Sequence, residues 1–471
     1  MTEWLAIENA VLLPMDAERR ILEPGHVVVH GDRIVAVGQG AAPRRPDLAV
    51  IDAEGGIVLP GLIDAHAHAG HALTKGIGAS SAEWMRLAGH IYARAVDPQF
   101  WRAEAALSAL ERLRCGTTTA ALLLGGGPDV MRTESLEAAE AHIDGVRAVG
   151  VAEVLAIGPN RPSGPRSYLD WQGGVSVERP VAPLVQLAQC ADFARARRDA
   201  AGGLIRLALS LPVFTAAELA DEGEGGAVDL SRRAQALARE HELVLMQDGH
   251  RSGSIAAAEQ RLGQFGPDAL FAHCVDLTEA DIAALRRSGA KVAHNPSSMM
   301  SVFGRCPAPE LAEQGITVAF GSDAPAPDRP FDMFRIMFHA HRLNARHFAD
   351  DTVLPPWEVL EMATIRGAKA LGLEREIGSL APGKRADLIL VDWRKPHLWP
   401  PANPVQRLTR FANGGDVDTV VVGGRVLMRA GRVLHVDERK ILSDASLAFA
   451  TMVKRAQTSD TGASGAQAMG T

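Results

Sequence analysis

The sequence predicts an α/β fold, namely a (β/α)8 TIM barrel with a small β-sandwich domain built from both termini. Short apolar runs alternate with helix-like segments along the middle of the chain, and several of these runs end in a residue that can bind metal. Both ends of the chain instead carry short alternating strands with glycine turns. At 471 residues the chain exceeds one barrel of about 250 residues, so a second domain is expected.

The predicted domains follow from these patterns. Residues 1–55 and 377–440 form the two parts of the sandwich, with strands such as HVVVHGDRIVAVG and TVVVGGRVLMRAG, and residues 56–376 form the barrel between them. Residues 441–471 are expected to form a C-terminal helix and a disordered tail. The tail, TSDTGASGAQAMGT, has too few large apolar residues to pack.

The first barrel strand is expected to end in GLIDAHAHAG, which places His66 and His68 two residues apart after an apolar run at residues 57–63. Alternate residues of a strand point to the same face, so both imidazoles can project toward one point. Two converging imidazoles are a beginning of a zinc-type site. Because the chain has 16 histidines, the pair alone is weak evidence, and other segments must support it.

Three later segments repeat the pattern of an apolar strand that ends in a polar residue. DALFAHC ends near His273, AKVAHNP carries His294, and ITVAFGSD ends at Asp323. Helix-like segments precede them at residues 254–262, 278–287 and 309–314. The carboxyl ends of parallel strands share one rim of a barrel, so these side chains are expected to lie together.

These motifs resemble the amidohydrolase superfamily, through HAH after one strand, a histidine after a later one, HNP on the next and SDAP on the last. The closest pattern is the branch of triazine hydrolases, cytosine and guanine deaminases and related chlorohydrolases. The flanks LERLRCGTTTA and IGSLAPGKRADLILVD are similar to the same branch, and the resemblance spans residues 6–436. The strand-five segment and PDRPFDMF resemble phenylurea and molinate-type (thiocarbamate) hydrolases.

The resemblance implies a metal-dependent enzyme that uses a divalent ion, Zn²⁺ by default, with Fe²⁺ or Co²⁺ also compatible with nitrogen and oxygen ligands. Such an ion lowers the pKa of bound water to roughly 7. The resemblance makes His66, His68 and Asp323 metal ligands, and Asp323 also the general base. It makes His273 a ligand or a group that orients the substrate, and His294 a hydrogen-bond donor to the tetrahedral oxyanion.

Strand five, ELVLMQDGHRSGS, departs from the family pattern. The family has a histidine there and, three residues later, a glutamate that shuttles a proton. An alignment without a gap puts Asp248 at the histidine position and Arg251 at the glutamate position. Asp248 and His250 have the same parity, so either is a candidate for the missing ligand. Alternatively, Asp248 begins a turn and neither residue binds metal.

The missing glutamate disfavours a nucleobase deaminase. The predicted function is therefore metal-dependent hydrolysis of an amide-like C–N or C–S bond, as in a urea, carbamate, thiocarbamate or amide, within a small and fairly hydrophobic molecule. One alternative is a deaminase or dechlorinase of a nitrogen heterocycle. Another is a non-catalytic binding module that keeps the amidohydrolase fold. Because the presumed fourth strand, GLIRLALSLP, carries no lysine to bridge two ions, one metal ion is favoured.

Four residues are candidates for substrate binding. His71 and Trp84 follow the HxH strand in the loop that covers the site in relatives, although Trp84 has core packing as an equal alternative. Met299 and Phe303 follow the HNPSS segment, and a flexible methionine suits a permissive apolar pocket. The expected partner is a small-molecule substrate.

Composition excludes several other classes of protein. A net charge of −7 without a basic run argues against a nucleic-acid partner. Four cysteines without CxxC spacing are expected to be small buried residues. The chain shows no secretory leader and no apolar run of about 20 residues, so we expect a cytoplasmic protein without membrane contact. The resemblance implies a homo-oligomer.

Overall fold

Two large β-sheets and a set of surrounding helices organise this chain. The computed structural model describes residues 4–126, 129–172, 174–197, 203–300 and 304–459. The strands are β1 (Trp4–Leu12), β2 (Leu22–His30), β3 (Arg33–Gln39), β4 (Leu48–Asp52), β5 (Ile57–Pro60), β6 (Leu62–His68), β7 (Thr117–Leu123), β8 (Ala152–Ile157), β9 (Ser167–Gln172), β10 (Val175–Pro180), β11 (Ile205–Ser210), β12 (Leu245–Gln247), β13 (Ala269–Ala272), β14 (Lys291–His294), β15 (Val318–Phe320), β16 (Leu388–Val391), β17 (Val417–Val422), β18 (Arg425–Arg429) and β19 (Arg432–Val433).

The helices lie mostly between the strands of the central region. They are α1 (Ser81–Arg94), α2 (Pro98–Arg114), α3 (Glu137–Val149), α4 (Pro183–Arg197), α5 (Ala227–Glu240), α6 (Ser254–Leu262), α7 (Glu279–Ser288), α8 (Pro296–Met299), α9 (Ala308–Glu313), α10 (Met333–Phe348), α11 (Pro356–Met362), α12 (Ile365–Ala370), α13 (Pro404–Arg410) and α14 (Glu438–Ser459). Short 3₁₀ turns occur at Ala72–Thr74, Glu218–Ala220 and Gly414–Asp416. Among the described residues, no helix combines the length and apolarity needed to cross a membrane.

Eight parallel strands form the barrel, in the order β6, β7, β8, β11, β12, β13, β14 and β15. A parallel bridge between Ala67 and Asp323 brings the first and last strands together. The predicted (β/α)8 barrel is therefore confirmed. One buried cluster draws on all eight strands, and its members from these strands are small or of medium size: Ile63, Ala65, Ala121, Leu123, Val154, Ala156, Ala208, Met246, Leu270, Ala272, Ala293 and Ala319. The larger aromatic side chains pack in the outer cluster between strands and helices.

The helices that precede the ligand-bearing strands lie close to the segments predicted for them. Helix α6 has the predicted bounds, and α7 and α9 begin and end within one residue of theirs. A capping box explains the start of α7, since Thr278 accepts a hydrogen bond from the Asp281 backbone and Asp281 accepts one from the Thr278 backbone. Gly289, in the left-handed region at φ +70°, ends the helix and leads into β14.

Strands from both termini form the second sheet, as predicted. Its order is β19, β18, β17, β16, β5, β1, β2 and β3, with β4 paired to β1. The N-terminal and C-terminal strands meet where β5 and β16 pair antiparallel, with Leu59 opposite Ile389. All nine strands thus belong to one hydrogen-bonded sheet, in which β4 and β5 run parallel to β1.

Helix α14 packs along α2 at the C-terminal end of the described chain. Arg455 Nη1 lies 2.6 Å from Asp97 Oδ2, and Arg114 Nη1 lies 2.9 Å from Glu438 Oε2. The helix continues through Ser459, so the first two residues of the predicted tail are helical instead. The rest of that tail, residues 460–471, lies outside the described residues.

Candidate metal centre

Side chains from four barrel strands converge at the carboxyl-terminal rim. His66 and His68, on β6, have ring centroids 5.0 Å apart, and the ring of His273, which follows β13, lies 5.7 Å from that of His66. Two carboxylates join them: Asp248 after β12 and Asp323 after β15. Within two overlapping groups, one ligand atom per residue lies within 4.8 Å of the others: His66, His273 and Asp323, and His66, His68 and Asp248.

Asp248 contacts all three of these histidines. Its Oδ1 lies 3.0 Å from His273 Nε2 and 3.5 Å from His66 Nε2, and its Oδ2 lies 3.3 Å from His68 Nε2. Strand β12 ends at Gln247, so Asp248 is the first residue beyond it. In the gap-free alignment of strand five, this is the position where the family pattern has a histidine.

His250, the other candidate on strand five, points to different partners. Its Nδ1 lies 2.9 Å from Ser254 Oγ, its Nε2 lies 3.3 Å from Gln247 Oε1, and its ring packs 4.3 Å from that of Phe271. The shared parity of residues 248 and 250 assumed an extended chain, whereas the chain turns at Gly249, whose φ is +97°. The structure consequently brings Asp248, and not His250, into the cluster.

Asp323 completes the cluster from the last strand. Its Oδ1 lies 3.1 Å from His68 Nε2 and 3.8 Å from His66 Nε2, and its backbone N–H donates to His66 O at 2.9 Å. Asp323 and His273 have φ values of +62° and +68°. Left-handed backbone is uncommon for residues other than glycine and is concentrated at functional sites. The chain thus adopts costly backbone conformations where these two side chains enter the cluster.

A close approach of two segments requires Gly321 next to this strand end. A Cβ at position 321 would lie 2.2 Å from Asn295 Oδ1 and 2.7 Å from His66 O. Any side chain there would push apart the strands that carry the site. In the GSD triplet, Gly321 thus permits the close approach of the two segments, and Asp323 supplies the site carboxylate.

The carboxylates and imidazoles shift each other's pKa values strongly. Burial alone would lower the pKa of His68, but hydrogen bonds and charge from Asp248 and Asp323 raise it to about 10. Burial also opposes the charge of His273, yet the same two carboxylates raise its pKa. Despite burial, the neighbouring histidines hold the pKa of Asp248 and of Asp323 below the ordinary range of an aspartate. The two carboxylates therefore attract positive charge to this point.

This donor set fits a divalent metal ion. His66 Nε2 is a buried atom without a hydrogen-bond partner among the described residues, and so is Asp248 Oδ1, since its 3.0 Å contact with His273 Nε2 lacks the alignment of a hydrogen bond. A buried polar atom without a partner is costly, and an ion between these atoms would satisfy both. Imidazole nitrogens with carboxylate oxygens suit Zn²⁺, Fe²⁺ and Co²⁺. The chemistry of the donor set thus supports the predicted cofactor.

His294, at the end of β14, is buried beside Phe320, with ring centroids 5.9 Å apart. Neither ring nitrogen has a hydrogen-bond partner among the described residues. Burial and the charge of His273 lower the pKa of His294 to about 3, so the ring is neutral and one nitrogen carries a proton. His294 is outside the two groups of converging ligand atoms. Its predicted role as a donor to the oxyanion stays a prediction.

The other substrate-binding candidates have different surroundings. His71 is buried in an aromatic stack, 5.1 Å from the His68 ring, 5.2 Å from Tyr92 and 4.9 Å from Trp84. Burial and the charge of His68 keep the pKa of His71 well below its ordinary value. Trp84 is 8% exposed, packs in the outer core and also lines the cavity, and its contact with a substrate stays a prediction.

The structure does not bring Met299 to the cavity. This residue ends α8, which follows β14 after one residue, and it packs against the hydrophobic core. The prediction that it lines the site is not supported, because local packing takes up its side chain. Phe303, the fourth candidate, lies outside the described residues.

A cavity of about 720 Å³ opens beside the cluster. Its apolar wall includes Trp84, Met85, Val213, Phe214, Val275 and Pro327. Its charged lining consists of three aspartates and three arginines: Asp129, Asp248, Asp323, Arg161, Arg251 and Arg329. No glutamate is found among the described residues that line it.

Sequence reasoning missed several residues of this region. Asp64, Arg112 and Ser322 form a buried polar network, in which Ser322 directly precedes Asp323. Asp64 lies within the GLIDAHAH motif, two residues before His66, and this position could have identified it from the sequence. Arg329 follows Asp323 by six residues in the PDRPFDMF segment, which gave no indication that its side chain returns to the cavity.

Comparison with known proteins places the chain among hydrolases of this type. A sequence profile described as Amidohydrolase family matches residues 57–427. The chain is 33% identical to the 5'-deoxyadenosine deaminase of Methanosarcina mazei, over 96% of this chain and 99% of that protein. It is also 33% identical to the 5-methylthioadenosine/S-adenosylhomocysteine deaminase of Syntrophobacter fumaroxidans, over 92% and 95% of the two chains.

Two solved structures with zinc share the fold. An adenosine deaminase from Xanthomonas campestris superimposes with a TM-score of 0.80 at 23% identity, covering 96% of this chain and 98% of that chain. An atrazine chlorohydrolase from Arthrobacter aurescens TC1 gives a TM-score of 0.77 at 22% identity, with 94% and 100% covered. At this level of identity the similarity is one of fold.

Proposed function

Because the chain belongs to the amidohydrolase family and is a metal-dependent hydrolase of carbon–nitrogen bonds, we propose that it removes an amino group from a nitrogen heterocycle. The observation that carries this proposal is the pair of relatives named above, which are 33% identical over more than nine-tenths of this chain and are deaminases of adenosine derivatives. They favour the deaminase alternative over hydrolysis of a urea or carbamate.

Five residues would hold the ion in this proposal: His66, His68, Asp248, His273 and Asp323. A bound divalent ion polarises the substrate and lowers the pKa of a bound water to roughly 7. The protein contributes the geometry, because left-handed backbone at His273 and Asp323 and the turn after Asp248 direct all these side chains to one point.

Asp323 would move the protons. Its carboxylate belongs to the cluster of converging ligand atoms, so it would be close enough to accept a proton from the attacking water. The protonated acid then gives that proton to the departing amino group. His294, on the neighbouring strand, carries a ring N–H without a partner and would donate it to the oxygen of the tetrahedral intermediate.

Strand five makes this chain different from the family pattern. In an alignment without a gap, Arg251 takes the position of the glutamate that shuttles a proton in the family. Arg251 is exposed at the cavity, and no glutamate is found among the described residues that line it. Asp323 would therefore serve both proton transfers by itself. Substrates with a leaving group of low basicity should react fastest, because they need the least protonation.

A second candidate is hydrolysis of an amide-like bond in a urea, carbamate or thiocarbamate. The observation that favours it is that no glutamate is found among the described residues that line the cavity. That reaction needs an activated water and one base, both of which the five-residue cluster and Asp323 would supply. The predominantly apolar wall with Trp84 and Phe214 suits an aryl or alkyl substituent.

A substrate panel separates the two candidates. Protein loaded with one Zn²⁺ per chain is incubated with 5'-deoxyadenosine, 5'-methylthioadenosine, an N-phenylurea and an N-phenylcarbamate ester, and ammonia and aniline are measured. Ammonia release from the purine nucleosides supports the first proposal, and aniline release supports the second. The Asp323→Asn variant, matched in shape, should lose turnover of whichever substrate reacts. A metal-loaded protein without turnover of either class would contradict both and favour the binding-module alternative.

A further inference from the structure

Arg329 is a buried cation inside the cavity that neither the metal cluster nor the proposed chemistry uses. Its side chain is 9% exposed and lines the cavity next to Asp323. It reaches there because residues 324–329 fold back, with the Arg329 backbone N–H donating to Pro325 O at 2.6 Å. The guanidinium thus lies in the loop that follows the last ligand-bearing strand.

Its guanidinium is held in a defined orientation by its own loop. Nε donates to Ala324 O at 2.8 Å, and Nη2 donates to Ala326 O at 3.0 Å. Nη2 also lies 3.8 Å from Asp323 Oδ2, which is beyond hydrogen-bond distance. Arg329 thus faces Oδ2 of Asp323, whereas His68 faces Oδ1. The cation consequently flanks the cluster from the side away from the histidines.

Several of its donors remain without an acceptor. A guanidinium has five N–H groups, and two of them are used by the loop carbonyls. Nη1 is buried and has no hydrogen-bond partner among the described residues. A charged donor that is buried without an acceptor costs free energy. The conformation of the loop needs only the two bonds to its carbonyls, so it does not explain the unsatisfied donor. An acceptor supplied by a ligand in the cavity would remove this cost.

The charges around the cavity favour an anionic acceptor. The lining contains as many arginines as aspartates. Asp248 and Asp323 belong to the metal cluster, and Arg161 is engaged by Asp129 at 3.0 Å and Glu218 at 2.7 Å. A divalent ion at the cluster would leave the cavity with an excess of positive charge, which a substrate anion would offset.

We propose that Arg329 is a specificity residue that binds an anionic oxygen group of the substrate, most simply a carboxylate, while the reacting carbon lies at the metal cluster. The planar fork of arginine matches the two oxygens of a carboxylate. The inference rests on the proposed function in so far as it places a substrate at this centre. It adds a chemical class: small, largely apolar molecules that carry one acidic group.

Binding of matched ligand pairs tests the proposal without any turnover. Isothermal titration of zinc-loaded protein compares benzoate with benzamide, and phenylacetate with phenylacetamide, since each pair differs in charge but hardly in shape. We expect the wild type to prefer the carboxylate by about tenfold to a hundredfold, the range of a hydrogen bond to a charged group. In Arg329→Gln that preference should largely disappear.

A carboxylate can also bind the metal directly, and the variants separate the two effects. Direct binding to zinc would persist in Arg329→Gln, so an unchanged preference there would overturn the proposal. The matched control is Arg251→Gln, which removes an exposed arginine from the same cavity and should keep the preference. Loss of the preference in Arg251→Gln, or no preference in the wild type, would also overturn it.

Folding and metal content are checked by circular dichroism and elemental analysis. If Arg329→Gln does not fold, Arg329→Lys replaces it, because lysine keeps the charge and loses the fork. We then expect a partial loss of the preference, and an unchanged value contradicts the proposal. Because the readout is binding, the proposal can hold even if the substrate panel rejects heterocycle deamination, and it can fail while deamination is observed.

Discussion

Ser322 donates two hydrogen bonds to Asp64, from its backbone N–H to Oδ1 at 2.8 Å and from its hydroxyl to Oδ2 at 2.5 Å. Asp64 precedes His66 by two residues, and Ser322 directly precedes Asp323. The pair therefore links the first and last barrel strands next to the residues proposed to bind metal. Both residues are buried, so the two bonds are shielded from water.

Replacing Ser322 by alanine should weaken both the fold and the metal centre. The variant leaves Asp64 Oδ2 with Arg112 Nε at 3.4 Å as its remaining partner. We expect the free energy of unfolding to fall by about 1–3 kcal/mol, the usual cost of a buried acceptor that loses its donor. Zinc affinity should fall as well, because Asp323 loses part of its support. Urea unfolding and competition with a chelator measure the two effects.

Ser446→Ala is the control for this substitution. Ser446 donates to Leu442 O on the exposed face of α14, so its replacement should change the free energy of unfolding by less than about 0.5 kcal/mol. If Ser322→Ala unfolds like the control and binds zinc like the wild type, the link between the two strands does not support the site.

The two strand-five candidates should respond differently to substitution. Asp248→Asn keeps the shape of the side chain but removes the charge that faces three histidines, so zinc affinity should fall by at least about tenfold to a hundredfold. His250→Ala should keep about one ion per chain, because both nitrogens of His250 bond to Ser254 and Gln247 instead. Elemental analysis of the dialysed proteins measures the metal content.

A third strand-five variant controls for general damage to this loop. Arg251→Gln changes the next residue, which is exposed, and should leave metal content unchanged. Loss of metal in His250→Ala together with full retention in Asp248→Asn would reverse the assignment. Loss in all three variants would show that the loop as a whole, and no single side chain, supports the centre.

Metal uptake should depend on pH with a definite sign. In the metal-free protein burial opposes protonation of both rings, but the neighbouring carboxylates raise the pKa of His68 to about 10 and also raise the pKa of His273, so His68 is protonated near neutral pH and His273 holds a proton more tightly than a free imidazole. A metal ion must displace those protons, and its affinity should therefore increase as pH rises from about 6 to 8, by about tenfold per pH unit for each proton released. Titration calorimetry in buffers of different ionisation enthalpy counts the protons. An affinity that does not change with pH would show that the rings are already neutral.

The fold was predictable from the sequence because its signals are repeated. Four apolar strands that each end at a polar residue, and the helices between them, determine the barrel without knowledge of any side-chain packing. The convergence of His66, His68, His273 and Asp323 follows from the same rule, since parallel strands share one rim.

The details that the sequence left open depend on backbone turns and on packing. Parity could not separate Asp248 from His250, because the turn at Gly249 ends the regular alternation on which parity relies. Met299 looked like a pocket residue from its position, yet it packs against the core. Arg329 enters the cavity through a loop whose path is set by backbone hydrogen bonds, and no periodic pattern encodes such a path.

Asp281 holds the strand-five loop in place from a neighbouring helix. Its carboxylate accepts hydrogen bonds from the backbone N–H groups of Gly253, Ile255, Ala256 and Thr278 at 2.7–3.0 Å, and from the Thr278 hydroxyl at 2.7 Å. Gly253 ends the loop that begins after Asp248, so Asp281 connects the start of α6 and α7 to the candidate site. Asp281→Asn should lower the free energy of unfolding by about 1–3 kcal/mol near neutral pH.

The effect of this variant should vanish in acid. Although burial opposes it, the hydrogen bonds lower the pKa of Asp281 below 3.8, so its stabilisation is complete above that value and is lost as the pH falls through the lower, folded-state pKa. Urea unfolding of wild type and Asp281→Asn should therefore show a full difference near neutral pH and a smaller one below a pH of about 3 to 4. Asp229→Asn, which removes a partly exposed carboxylate bonded to Arg233, should cost less than about 1 kcal/mol. A difference for Asp281→Asn that stays constant down to the lowest pH at which the protein folds would show that its charge is not the cause.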